Sequence, residues 1–146
     1  MDRYARWKMG LHPTREAIRD YIREGAMVLL MDGVRMMGAM AVTLYQGEDY
    51  HAIALGVDAA DDDVSVLYLL GVRPSARGRG VGAQLVRGAL DIAQLQHKKA
   101  LRLNALESNL PARRLYEAQG FAYCGRQRLW ADNTGWTQFC YYEWIL

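Results

Sequence analysis

The stretch VRPSARGRGVG, residues 72–82, places three glycines and three arginines in eleven positions. An apolar run, VSVLYLLGV (residues 64–72), leads into it, and after it Val81, Leu85, Ala89 and Ile92 recur at spacings of four and three. The first pattern is that of a strand covered on both faces; the second is one apolar face of a helix reaching to about Gln96. Gly78, Gly80 and Gly82 have no Cβ, so the connection can turn tightly and bring backbone N–H groups against a ligand. A helix that opens at such a loop aims unpaired N–H groups, and the positive end of its dipole, at the space in front of it. Phosphate is the natural occupant. The dinucleotide fingerprint G-x-G-x-x-G does not match the alternate glycines of GRGVGAQL, and the P-loop fails because no lysine follows Gly82. Arg77, Gly80 and Gly82 instead make R-x-x-G-x-G, in which the arginine adds charge-assisted contacts to phosphates held by the backbone.

Working outward, ALRLNAL (residues 100–106) predicts another strand, and PARRLYEAQG (residues 111–120) predicts a helix with Pro111 in its first turn and Gly120 just past its last. The C-terminal stretch predicts a hairpin turning near Asn133, Thr134 and Gly135. Its last strand alternates Thr137, Phe139, Tyr141 and Glu143 with Gln138, Cys140, Tyr142 and Trp144. Near the start, Thr14 caps a helix that sets Ile18, Tyr21 and Ile22 on one face before Gly25 closes it. Two apolar runs, AMVLLM and MMGAMAVTLY, flank Asp32 and Gly33 and should pair as an antiparallel hairpin. EDYHAIALGVD (residues 48–58) reads as a further extended piece, and the acidic DAADDD behind it as a solvated loop without calcium-loop spacing. The whole predicts an α/β fold: a mixed, mostly antiparallel central sheet with a parallel strand pair in the middle and helices on both faces.

Bulk properties limit the function. With 146 residues, the expectation is a single domain, residues 1–146, with a core large enough to need no disulfide or metal. A net charge of +2 is too small to point to a nucleic-acid partner by itself, and a local basic loop, unlike a basic stripe, needs only a small polyanion to explain it. Cys124 and Cys140 have no second pair to make a zinc spacing and read as free core thiols in a reducing compartment. No apolar run approaches a membrane span and MDRYARWKMG is no signal peptide, so the expected location is the cytoplasm, with no membrane partner and no metal.

LLGVRPSARGRGVGAQLV, followed at a fixed distance by NLPARRLYEAQGF, resembles the GNAT superfamily of acyl-CoA-dependent N-acyltransferases, its small bacterial stand-alone members above all. The similarity covers roughly residues 64–121. It implies acetyl-CoA as cosubstrate and a primary amine, on a small molecule or a peptide, as acceptor. By the same resemblance Leu70, Gly71 and Val72 would pair with the pantetheine arm as another strand would. The amides of Arg77, Gly78, Arg79, Gly80, Val81 and Gly82 would hold the pyrophosphate, Asn109 would bond the cofactor, Ala112 would let it lie close, and Tyr116 would point at the sulfur. Taken singly, Tyr116 on an apolar helix face is core packing and Asn109 is a helix cap. The chain also starts short of the first strand and helix of many members, which leaves a sheet edge open to a second subunit, as in a homodimer.

Acetyl transfer needs a neutral amine, a stabilised oxyanion and a protonated leaving thiolate. An amide near Leu70 or Gly71 suits the oxyanion, and Tyr116 is the proton donor to sulfur. Many members carry a glutamate on the strand before the loop; here Val64 stands near that position and Tyr68 faces the site. The base is therefore read as a water chain reaching Asp63, His51 or Glu48, with His12 and His97 at the surface. Tyr45, Tyr50, Trp130, Trp136 and Tyr141 are the aromatic candidates for the acceptor wall, near acids that could receive a cationic amine; the simpler reading for most of them is sheet core or dimer surface. The missing glutamate also motivates a second reading, an acyl-CoA-binding sensor with weak catalysis.

Overall fold

In the computed structural model, which describes residues 4–8 and 10–146, the apolar run before the glycine loop is strand β3 (Val64–Val72). The helix after the loop is α2 (Val81–Leu95), followed by β4 (Ala100–Leu106) and α3 (Leu110–Gln119). Before β3 come α1 (Arg15–Arg23) and the hairpin of β1 (Met27–Asp32) and β2 (Arg35–Thr43); after α3 comes the hairpin of β5 (Ala122–Ala131) and β6 (Gly135–Ile145). The six strands form one sheet in the order β1-β2-β3-β4-β6-β5, antiparallel except for the central β3/β4 pair. Thr14 Oγ1 accepts from Ala17 N–H at 3.0 Å and caps α1, while Gly120 closes α3 at φ +101°, a left-handed position that favours glycine.

Strand alternation sorts the core onto two faces. Met40, Val42, Leu67, Cys140 and Tyr142 join Val81, Leu85, Val86, Ala89 and Ala93 of α2 and Tyr116 of α3. Each fully buried valine or leucine there contributes about 1.5–3 kcal/mol. On the opposite face Val64, Val66 and Tyr141 enclose Tyr50, with Tyr68 beside them, and Tyr21 of α1 stacks on Tyr68 with ring centroids 5.9 Å apart. Cys140 is buried, but Cys124 is only half-buried.

EDYHAIALGVD does not extend; it opens with a 3-10 turn over Glu48–Ala52. Tertiary bonds override the strand pattern: Tyr50 is 1% exposed and edge-on to Tyr141, and Gln127 Nε2 donates to the Asp49 carbonyl at 2.7 Å. Behind it a buried ion pair anchors the connection to the sheet. Arg102 Nε and Nη2 each reach Glu143 Oε2 at 2.9 Å, Arg102 Nη1 reaches Gln46 Oε1 and its Nη2 the Val57 carbonyl at 2.6 Å, and Gly56 N–H meets Glu143 Oε1 at 2.8 Å.

Two departures from regular pairing open the sheet. β3 and β4 pair from Val64↔Ala100 only as far as Val66↔Arg102, so among the described residues the β4-facing edge of residues 67–72 has no strand beside it. On its other edge, Met40 of β2 falls opposite two residues, Leu69 and Leu70. This is a β-bulge, with Leu69 in the left-handed region at φ +55°. Among the described residues no helix is long and apolar enough to cross a membrane.

Candidate active site

The parting of β3 and β4 leaves a cleft of about 730 Å³. Leu67, Leu70 and Val72 form one wall; Asn109, Ala112, Leu115 and Tyr116 of α3 form the other; Asn104 and Phe139 lie at its base. Arg77 stands at the end nearest the glycine turn. Trp7, His12, Tyr21 and Tyr68 line the cleft as well, with Asn133 of the β5/β6 turn, whose Nδ2 donates to the Arg6 carbonyl at 2.7 Å.

At the glycine turn, Gly80 is the N-cap residue of α2 at φ +72° and Gly78 has φ +77°. A Cβ on either would meet nothing within 4 Å. These two glycines are therefore required by backbone conformation, and open space lies before them. Gly82 differs: a Cβ there would stand 3.1 Å from Leu115 Cδ2, so its smallness lets α2 pack on α3. Val81 is buried, and Gly71 pairs with Ala39 of β2. Arg73, Arg77 and Arg79 are exposed, and no carboxylate among the described residues forms an ion pair with them. The turn thus joins a helix N-terminus to uncompensated guanidinium groups, an arrangement able to hold a diphosphate.

Asn109 caps α3, its Oδ1 accepting from Ala112 N–H at 3.3 Å, while also lining the cleft. Tyr116 is 6% exposed, and burial pushes its phenol well above the usual tyrosine range. Its hydroxyl makes no hydrogen bond among the described residues. Tyr116 thus lines the cleft with its hydroxyl unpartnered among the described residues.

The bases named from sequence do not line the cleft. Asp63 is at the opposite end of β3, 3.6 Å from Lys99 Nζ. His51 is 2.7 Å from Asp61, and Glu48 is exposed. His12 lines the cleft while keeping the exposed position expected of it, because the segment before α1 folds against the β5/β6 turn; desolvation there lowers its pKa, opposed by nearby Asp132. None of the five aromatic candidates lines the cleft, and for Tyr50 and Tyr141 the sheet-core reading holds. Trp130 and Trp136 pair on the outer surface, Tyr45 is exposed with its hydroxyl on Glu24 at 2.9 Å, and Tyr50 and Tyr141 are buried. Tyr21, Tyr68, Trp7 and Phe139 line the cleft instead. Among the described residues no cluster of three or more His, Cys, Asp or Glu side chains is placed to hold a metal ion.

Comparison with known proteins agrees with this fold. A GNAT acetyltransferase of Streptococcus agalactiae superposes with a TM-score of 0.76 at 22% identity, over 92% of this chain and 73% of that one. A GNAT acetyltransferase of Elizabethkingia anophelis, whose structure has acetyl-CoA bound, gives 0.68 at 16% identity, over 93% of this chain and 86% of that one. These likenesses establish the fold. In sequence, the mycothiol acetyltransferase of Beutenbergia cavernae is 41% identical over 64 residues, 44% of this chain but 20% of that longer protein, so the match spans a fifth of its length. The acetyltransferase (GNAT) family model matches residues 2–121. With that match across most of the chain, the protein belongs to the GNAT family of acetyltransferases.

Proposed function

We propose that residues 1–146 form one acetyl-CoA-dependent N-acetyltransferase domain that moves the acetyl group directly to a primary amine bound in the same cleft. The observation that carries this reading is the unpaired β3 edge, residues 67–72, facing Tyr116 across the cleft with the glycine turn at one end. An unpaired strand edge exposes a row of N–H and C=O groups able to pair with an amide-bearing chain such as pantetheine. The amides of residues 77–82 then hold the diphosphate, with Arg77 beside them, and the Asn109 Nδ2 hydrogens are left for the cofactor. The bulge at Leu69 and Leu70 re-aims the backbone where an oxyanion donor is needed.

Tyr116 gives its proton to the departing sulfur. A raised pKa keeps the phenol protonated at neutral pH, so it serves as donor and not as base. Against a thiol of ordinary pKa about 8.5 the transfer is uphill, so the proton moves as negative charge develops on sulfur. The test is an acceptor screen following free-thiol release from acetyl-CoA, run beside Tyr116→Phe. Release that needs an amine and falls in the variant supports the reading; amine-independent or unchanged release refutes it.

One observation favours the sensor reading: the cleft lining carries no carboxylate among the described residues. A sensor would keep its behaviour in Tyr116→Phe, whereas an enzyme loses turnover. We place the protein in the cytoplasm on its free thiols, and the outer edge of β1, which has no neighbour among the described residues, is where a homodimer would form.

A further inference from the structure

An alkylamine reaches the cleft as its ammonium form, with an ordinary pKa near 10.4 for a lysine-type amine, and must lose a proton before attacking a thioester. No cleft-lining residue among those described is a carboxylate, but one is built in beside Tyr68. Asp49 is half-buried in the turn Glu48–Ala52. Its Oδ2 accepts from the Tyr141 hydroxyl at 2.9 Å, and Gln127 Nε2 donates both to the Asp49 carbonyl and to Tyr141 Oη at 2.7 Å. These bonds fix the carboxylate, while its Oδ1 has no hydrogen-bond partner among the described residues. Tyr68, which lines the cleft, brings its hydroxyl to the same place. Both Tyr68 Oη and Asp49 Oδ1 lie within 4 Å of the point where a Cβ on Gly47 would stand.

A second observation points to a ligand here. Tyr50, 1% exposed, has a buried hydroxyl with no partner, within electrostatic reach of Asp49, Tyr68 and Tyr141. Tyr68 packs against the cluster that holds Tyr50, and its ring stacks on that of Tyr21. A free carboxylate oxygen and tyrosine faces are what an ammonium group seeks. The surrounding titratable groups are Glu48 and His51 on the same turn, Tyr68 on β3, Tyr141 on β6, and Glu24 and Tyr45 further out. Arg102, the buried cation nearby, is committed to Glu143 and Gln46.

We infer that Asp49 Oδ1 binds the ammonium of the acceptor and takes its proton. This rests on the acetyltransferase reading. The ammonium N–H bond breaks and its proton passes to Oδ1, leaving a lone pair on nitrogen. That pair forms the N–C bond to the acetyl carbon, and the C–S bond breaks as the tetrahedral adduct collapses. Nitrogen sheds one more proton to solvent, and Tyr116, having given its proton to sulfur, regains one from solvent. The proton on Asp49 is the net product and leaves to solvent.

The test measures kcat/KM against pH from 7 to 9.5, with the best alkylamine from the acceptor screen, for the wild type, Asp49→Asn and Tyr141→Phe. Asp49→Asn should lose about 10²–10⁴-fold at pH 7, and the deficit should shrink as pH rises and free amine replaces ammonium. Tyr141→Phe, which keeps the packing and removes one bond to Asp49, should show a smaller deficit with the same convergence. Coenzyme A affinity, measured by calorimetry, should stay within about threefold of wild type in both. A deficit constant across pH, or none in either variant, overturns the assignment. A wild-type protein that acetylates no amine would instead overturn the acetyltransferase reading on which it rests.

Discussion

Replacing Gly80 by alanine separates what this glycine does for the fold from what it does for the ligand. At φ +72° an alanine in the left-handed region costs about 1–2 kcal/mol, and no neighbour within 4 Å adds a steric penalty. For a domain of this size that lowers Tm by roughly 2–8 °C and leaves the protein folded at 25 °C. The new methyl, however, stands in the open space before α2, where the diphosphate would lie. Losing one charge-assisted hydrogen bond there removes about 1.5–3 kcal/mol of binding, a roughly 10- to 100-fold weaker Kd. Gly33 supplies the control: it has φ +61°, has equally open surroundings, and lies in the β1/β2 turn. Gly33→Ala should cost similar stability and no coenzyme A affinity. Calorimetric titration with coenzyme A, alongside thermal melts of both variants, decides the matter. If Gly80→Ala binds as tightly as Gly33→Ala, the turn does not hold the cofactor and the site is wrongly placed.

Other outcomes follow from the same structure. Tyr116→Phe should lower turnover about 10²–10⁴-fold with Tm and coenzyme A affinity nearly unchanged, because the hydroxyl has no internal partner to lose; stopped thiol-release assays read the first and calorimetry the second. Arg102→Met leaves Glu143 buried and uncompensated, since each side chain of the pair is 2% exposed. The expected cost is roughly 3–5 kcal/mol, or about 6–20 °C in Tm, much of it recovered by adding Glu143→Leu. Asp61 raises the pKa of His51 above 6.5, first by its hydrogen bond and then by its charge. A raised folded-state value means the stabilisation is present below pH 6.5 and fades as pH climbs through the folded pKa. His12, lowered by desolvation, has the opposite sign: its contribution is present above 6.5 and lost as pH falls. An NMR titration should find His51 above and His12 below 6.5, and Asp61→Asn should bring His51 down.

The central run of elements was legible because its signals are local. The period-2 and apolar runs of β3 and β4, the four-and-three spacing of α2, and Gly120 after α3 depend on near neighbours. The turn at Glu48–Ala52 was not, because it is held by Gln127 and Tyr141, 78 and 92 residues away from Asp49. The same distance hid Asp49. Glu48, His51 and Asp63 looked equally suited on the chain, and only the β6 register, which sets Tyr141 opposite Asn104, separates them. His12 entered the cleft because the segment before α1 lies against the β5/β6 turn, a packing that no periodicity announces. Alternation in β6 places Tyr141 and Glu143 on one face, but the buried pairing of Glu143 with Arg102, 41 residues away, is not written in that alternation.

If one cleft seats the cofactor's pantetheine on the free edge of β3 and aims the Tyr116 phenol at its sulfur, a crystal structure of the protein with coenzyme A will show diphosphate oxygens on the amides of residues 77–82, the arm along residues 67–72, and sulfur within hydrogen-bond reach of Tyr116 Oη. Coenzyme A bound elsewhere, or seated with its sulfur turned away from Tyr116, would contradict it.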